Sequence, residues 1–235
     1  MEKQLSGWSR NKFIKCKFFE PSSLTELKEI SKKKIIPRGM GRSYGDSSLQ
    51  KKSILSTKKI NKIIKLDIKK KIIEVEAGIS IKDLLKFIIP KNLFLPVTPG
   101  SKFISIGGMV ASDVHGKNHH KKGSFRHHIL ELKIIDEKGK LLKCSKKNNR
   151  NLFNYSIGGM GLTGVIYSCK FKLIPINSDQ VYQEKIKTLN LRDTINKLKL
   201  SNNWEYNVGW IDTSAGDTRL GRSIIFRGKH LKKSK

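Results

Sequence analysis

The spacing of apolar residues divides the chain into short elements. Leu24, Leu27 and Ile30 recur at helical intervals behind Ser23 and Glu26, an S-x-x-E capping arrangement, which predicts a short amphipathic helix from Ser23 to about Lys32. Lys34-Ile35-Ile36 predicts a short strand. Ile63 to Asp67 and Lys71 to Ala77 read as two strands joined by a turn at Asp67 to Lys70, with Gly78 ending the second. Ser80 and Asp83 cap a second helix, Ile81 to Ile89, which Pro90 stops. Leu130, Leu132 and Ile134 alternate with Glu131 and Lys133 in a half-buried strand. Asp136 to Gly139 turns that strand and Lys140 to Cys144 returns. Leu152 to Ile157 is expected as a helical turn. Val165, Tyr167, Cys169, Phe171 and Leu173 predict a long strand with all five residues on one face, closed by Pro175.

Composition shifts after Pro175. Val181 to Thr188 predicts a strand, Leu191 to Leu200 a helix, and Trp204 to Asp212 and Arg222 to Arg227 two more strands, before a basic tail, KHLKKSK. This β-α-β-β run has too few strands to cover the faces of a sheet, so residues 176–235 are expected as the incomplete start of an antiparallel sheet domain following a first domain at 1–175. Strand, glycine loop, strands and capped helix do not alternate as βαβ units. The fold class is therefore α+β.

The balance of 49 Lys and Arg against 19 Asp and Glu over 235 residues gives a net charge of +30. The lysines are scattered through every predicted element, which favours solvated faces over a specific nucleic-acid partner and leaves attraction to anionic lipid or phosphate open. Cys16, Cys144 and Cys169 have neither disulfide nor zinc spacing. The N-terminus lacks the apolar region of a secretory signal, and no apolar run approaches the roughly 18 residues that span a bilayer. The expected location is the cytoplasm, with peripheral attachment to the inner face of the membrane as an extension of it.

Chemistry concentrates in two glycine-rich stretches, expected to face one ligand. Pro37-Arg38-Gly39-Met40-Gly41-Arg42-Ser43-Tyr44-Gly45-Asp46 joins three glycines to two arginines. Backbone N–H groups exposed at positive-φ glycines form an anion-binding nest, and Arg38 or Arg42 could add charge-assisted bonds to a pyrophosphate. The second stretch runs from Ile106 to Ser124 and holds Gly107, Gly108, Asp113, His115, Lys117, Asn118, His119 and His120. Gly107 and Gly108 permit positive φ and a close backbone approach to a ligand. His115, His119 and His120 invite a metal reading, but Gly116 and Gly123 disfavour the helix it needs, so no metal is expected. Gly159 to Gly164 matches G-x-G-x-x-G in a reversed context, with a helical turn before it and a strand after it. A tight turn beside a ligand is the expected use.

IPRGMGRSYGD at Ile36 to Asp46, VTPGSKFISIGGMVASDVHGKNHHKKGSF at Val97 to Phe125 and GGMGLTGVI at Gly158 to Ile166 together resemble flavoproteins of the p-cresol methylhydroxylase/vanillyl-alcohol oxidase superfamily. Within it they resemble the decaprenylphosphoryl-β-D-ribose 2-oxidase family, over about residues 5–175. The resemblance implies an FAD-binding domain of two α+β subdomains with the flavin between them and a substrate domain over the ring. Pro37 through Ser47 would wrap the pyrophosphate, and Gly100 would sit near the flavin. Ser105, Ile106, Gly107, Gly108, Ser112, Asp113, Val114 and His115 would line its length, and Ile166 would touch it. Tyr44, His115 and Lys117 would face the reacting sugar. Arg42 stands where some relatives carry a flavin-linked His, implying non-covalent FAD. The implied reaction oxidises the 2-hydroxyl of a polyprenyl-phosphoryl pentose, with His115 or Lys117 polarising or deprotonating it and an epimerase-reductase partner completing the inversion. Family members continue beyond the segment matched here, so a second chain supplying a C-terminal half is expected for activity. Oxidation of another sugar, polyol or lactone is the alternative, as is a non-catalytic flavin-binding fragment.

Overall fold

The computed structural model describes residues 1–232; the last three residues of the basic tail lie outside the described residues. A four-stranded sheet has the order β1-β2-β4-β3, built from β1 (Glu2–Ser6), β2 (Phe13–Phe19), β3 (Ile36–Arg38) and β4 (Ser53–Ser56). β1 and β2 form an antiparallel hairpin, whereas β4 runs parallel to both β2 and β3. The crossover between β2 and β3 is α1 (Leu24–Ser31), where Ser23 Oγ accepts from the Glu26 N–H. The reciprocal bond of the capping box comes from one residue earlier, with the Ser22 N–H donating to the Glu26 carboxylate at 2.9 Å.

An antiparallel five-stranded sheet has the order β5-β6-β10-β8-β9. Its strands are β5 (Ile63–Asp67), β6 (Ile72–Glu76), β8 (Ile129–Ile135), β9 (Leu141–Cys144) and the central β10 (Val165–Lys172). The main core packs one face of this sheet against α2 (Ile81–Ile88), α3 (Ile106–Ala111) and α5 (Arg150–Ser156), through Leu84, Ile88, Met109, Val110, Phe125, Phe153 and Phe171. A smaller core of Leu27, Leu55, Ile60, Ile135 and Val165 fastens the opposite face to the first sheet and α1. A two-stranded pair, β7 (Leu93–Phe94) with β11 (Ile174–Pro175), leads into the C-terminal part.

The five apolar residues of β10 do not share one face. Ile166 pairs with Ile134, yet Ser168 pairs with the adjacent Lys133, so Tyr167 is an extra residue at a bulge. The pleat inverts there. Val165 and Tyr167 enter the smaller core, while Ile166, Cys169, Phe171 and Leu173 enter the main one. Both faces of the N-terminal half of β10 are covered, one by the main core and one by the smaller core, so the bulge replaces simple alternation.

Residues beyond 176 form an antiparallel sheet of order β12-β14-β13, from β12 (Val181–Lys187), β13 (Tyr206–Ile211) and β14 (Ser223–His230), with α6 (Leu191–Leu200) on one face. Lys229 and His230, expected in a tail, are strand residues pairing with β12. This sheet docks through the single-turn α4 (His119–Lys122). His120 Nε2 lies 3.0 Å from the Trp204 carbonyl, and Lys121 Nζ donates to the Asn203 carbonyl at 2.7 Å.

Candidate functional site

Three loops converge where the two larger sheets meet. The first, Gly39 to Ser48, leaves the end of β3 and turns at Gly41 and Gly45, both with φ above +60°. Arg38 braces this loop from inside. Its guanidinium donates to the Ser6 carbonyl at 2.7 Å and to Ser48 Oγ at 3.2 Å, and Ser43 Oγ lies 2.9 Å from Ser48 Oγ. With its guanidinium nitrogens bound to Ser6 and Ser48, this arginine supports the loop from behind, and burial draws its pKa below the ordinary value.

The second wall is Pro99 to His115. Ser105 caps α3, its Oγ accepting from the Gly108 N–H, and Gly39 of the first loop lies directly against that oxygen. Gly107 and Gly108 are helical and do not use the positive φ that glycine permits. Their role is close packing. A Cβ at Gly107 would stand 2.9 Å from the Ala77 Cβ, and the Gly107 N–H donates to the Ala77 carbonyl at 2.7 Å. The third loop, Ile157 to Gly164, hangs from α3 through Gly158 N–H to Val110 and Met160 N–H to Ala111, both at 2.9 Å. It reaches β3, where Gly161 touches Pro37.

Between the loops lies a cavity of about 730 Å³. It is walled by the first loop from Pro37 to Ser43 with Tyr44 and Ser47, by Gly100, Ser105, Gly107, Gly108, Ser112, Val114 and His115, and by Ile166. Tyr44 stands at the rim, 83% exposed. Four expected cofactor residues are drawn elsewhere. Ile106 is fully buried in the main core, because the first residue of α3 faces inward. Asp113 turns back to accept from the Arg126 backbone and Nε at 2.9 and 3.0 Å. Gly45 and Asp46 lie on the exposed outer side of the first loop and do not line the cavity. Sequence reasoning missed Trp8, Ser48, Thr57, Ala77, Pro99, Ser101 and Ile104, which with Ala111 and Met160 complete the wall. Gly161 and Gly164, also in the wall, belong to the G-x-G-x-x-G string, so that signal was present.

His115 and Lys117 part company. His115 opens on the cavity, its backbone bridged to Ser124 and its ring edge-on to His119 at 5.4 Å. Lys117 lines a second cavity, of about 440 Å³, with Thr98, Gln183, Tyr206, Asn207, Trp210, Arg227 and His230. The Lys117 carbonyl accepts from the Asn207 N–H at 2.8 Å. Asn207 Oδ1 is buried there without a partner among the described residues. The Tyr206 hydroxyl lies 3.2 Å from His230 Nε2, and His230 Nδ1 is 2.9 Å from the Ser178 carbonyl. Burial, then the Glu205 carboxylate, pushes the Tyr206 pKa well up, so its phenol stays a donor.

An extended cleft between two α+β layers, entered by glycine turns on one side and floored by Ala77, Gly107, Ala111, Val114 and Ile166, is built for a long cofactor with one polar and one flat apolar part. Gly100 suits such a guest, since a side chain there would project into open space. These features define a dinucleotide-cofactor protein with a mixed helix-and-sheet fold. The chain belongs to the FAD binding domain family, which matches residues 19–145, and FAD is its cofactor. It is 30% identical to the decaprenylphosphoryl-beta-D-ribose oxidase of Mycolicibacterium smegmatis, over 98% of this chain and 52% of that protein. It is 26% identical to the L-gulonolactone oxidase of Bos taurus, over 67% of this chain and 37% of the relative. It is 24% identical to the D-arabinono-1,4-lactone oxidase of Debaryomyces hansenii, over 88% and 38%. The chain spans about half, or less, of the length of these curated relatives. Among the described residues, no helix is long and apolar enough to cross a membrane.

Proposed function

We propose that this chain serves an FAD-dependent oxidoreductase that oxidises the 2-hydroxyl of a polyprenyl-phosphoryl pentose to the keto sugar. In this reading residues 1–175 hold the flavin non-covalently, and residues 176–235 begin the substrate domain. The observation that carries it is the segment His115 to Lys117, which opens at one end on the FAD cavity and at the other on the second cavity. A substrate seated in the second cavity would present its reacting carbon toward the first. The likeness to a decaprenylphosphoryl-ribose oxidase over nearly the whole chain favours a sugar phosphate over a lactone.

Bound in its cavity, FAD supplies a two-electron hydride acceptor. The work of the protein is orientation and proton handling. His115 would hydrogen-bond the hydroxyl and take its proton. Lys117 supplies positive charge in the second cavity for a phosphoryl group, and Tyr206 a hydroxyl donor, whereas Arg227 is held by the Glu184 carboxylate at 2.6 and 2.9 Å. Tyr44 would close over the rim. Ketone formed at C2 calls for a reductase that returns hydride to the opposite face, the epimerase-reductase partner of this reading. A polyprenyl tail would hold the reaction at the inner surface of the membrane. A second polypeptide matching the remaining length of the relatives would complete the pocket.

Anaerobic bleaching of the flavin absorbance tests the reading. Polyprenyl-phosphoryl ribose should bleach it slowly with the 235-residue chain and faster with the second polypeptide added. Faster bleaching by gulono- or arabinono-lactone would overturn the substrate assignment. Rapid bleaching without the second polypeptide would remove the need for it, and no bleaching in any arm would leave a flavin-binding role only.

A further inference from the structure

The cofactor cavity has a wall from an unexpected part of the chain, the turn between β1 and β2. The last residue of β1 and the two that follow it grip the first glycine loop. The Ser6 carbonyl accepts from Arg38 at 2.7 Å. Gly7 lies against the Gly45 carbonyl so closely that any side chain would collide with it. The Trp8 N–H donates to the Ser43 carbonyl at 3.3 Å. Beyond these backbone ties, the Trp8 ring lines the cavity, and the Arg42 guanidinium carbon sits 5.2 Å from its centroid. Trp8 is 51% exposed, so the fold does not need it as core.

The two arginines of the loop have different duties. Arg38 spends its guanidinium nitrogens on Ser6 and Ser48 within the protein. Arg42 has no carboxylate partner among the described residues, is exposed, and lines the cavity. A guanidinium on an aromatic face keeps its N–H edge free for an anion while losing the freedom of a long side chain. The only anionic part of FAD is its pyrophosphate.

We propose that Trp8 is a positioning residue for FAD, acting through Arg42: its indole face fixes the guanidinium so that the N–H edge meets the cofactor's pyrophosphate. The proposal rests on FAD as the guest of this cavity. It extends the binding site to the N-terminal hairpin, which lies before the family match beginning at residue 19.

The test is the dissociation constant for FAD, from quenching of flavin fluorescence, in the full chain carrying Trp8→Phe, Trp8→Leu, Arg42→Met and the pairwise combinations. Both replacements at position 8 are bulky and apolar, so either can fill the wall, but only Phe keeps a π face. Trp8→Leu should weaken FAD about two- to fivefold, the range of an exposed cation–π contact, and Trp8→Phe should recover most of that loss. Arg42→Met should weaken FAD at least as much, and adding Trp8→Leu to it should change affinity by less than about twofold. Melting temperatures of the flavin-free variants should match the parent. Equal binding by the Leu and Phe variants would overturn the proposal, as would an undiminished effect of Trp8→Leu beside Arg42→Met. FAD failing to bind the parent chain at all would instead overturn the cofactor assignment.

Discussion

Asp113 and Arg126 form a two-pronged pair that fastens the third loop to the end of α3. The Asp113 carboxylate accepts from the Arg126 backbone at 2.9 Å and from Nε at 3.0 Å, while Nη2 donates to the Ile157 carbonyl at 2.6 Å. Asp113 holds a φ of +41°, a strained value for a residue with a side chain, and the double acceptance over-determines it. The pair acts on the cavity from behind, because Met160 and Gly161 of that loop form part of its wall.

Arg126→Met should therefore weaken FAD binding several-fold without removing any group that touches the cavity. Both partners are partly exposed, at 39% and 22%, so the lost stability should be about 1–2 kcal/mol and not the full value of a buried charge pair. For a chain of this size that is a fall of about 3–6 °C in melting temperature. Unchanged FAD affinity at a lowered melting temperature would show that the third loop does not depend on this pair.

Gly107 and Gly100 separate packing from cavity space. A methyl at Gly107 would press on Ala77 at 2.9 Å from its Cβ and 3.1 Å from its carbonyl oxygen, whereas one at Gly100 meets nothing within 4 Å. Gly107→Ala should cost about 1–3 kcal/mol in urea unfolding, the usual scale of overpacking. Gly100→Ala should stay within about 0.5 kcal/mol of the parent. A Gly107→Ala protein as stable as the parent would show that α3 can move off Ala77.

The contrast between these glycines explains what the sequence made legible. Local chemistry announced α2, whose Ser80 cap and Ile81, Leu84 and Ile88 stripe need no partner to be recognised. It announced β12, α6, β13 and β14 in the same way, to within two or three residues. The Ser105 cap is the one local signal for α3, since two adjacent glycines disfavour a helix, and the close seat on Ala77 helps hold it. Likewise the inversion at Tyr167 lies in the pairing of β10 with β8, a long-range register that spacing within β10 does not announce. At the site, the glycine-arginine string and the run to His115 named most of the cavity wall. Trp8 lies about thirty residues from the loop it touches, and Lys117 is separated from His115 by the packing of the C-terminal sheet, so neither placement could be read from spacing.

His128 predicts an acid-side loss of stability. Its pKa is lowered, first by burial, against which its bond from Nε2 to the Lys122 carbonyl at 3.0 Å works only partly, and then by the positive charges of His127, Lys122 and Lys172. A folded-state value below the unfolded value near 6.5 means the neutral ring is favoured by folding. The stability this contributes is complete above the unfolded pKa and is lost as pH falls through the folded one. The parent should thus lose more melting temperature between pH 7.5 and pH 5.5 than His128→Gln, which does not titrate there. Parallel pH profiles for the two proteins would rule out His128 as a source of the acid sensitivity.

Gly41 joins loop strain to the Arg38 brace, and its substitution should do more damage than loss of any one cavity side chain. At φ +64° a β-branched residue is strained on backbone grounds, by about 1–3 kcal/mol. Its Cβ would also fall on the Arg38 guanidinium, which cannot swing aside without abandoning the Ser6 carbonyl and Ser48 together. Gly41→Val should consequently lower the melting temperature and abolish retention of FAD through purification. His115→Ala, at the exposed far end of the cavity, should leave both nearly intact and act mainly on turnover. Arg38→Met in the same background separates the two causes: if the clash dominates, removing the guanidinium should return part of the stability lost by Gly41→Val. FAD bound equally by the parent and Gly41→Val would take the pyrophosphate role away from the first loop.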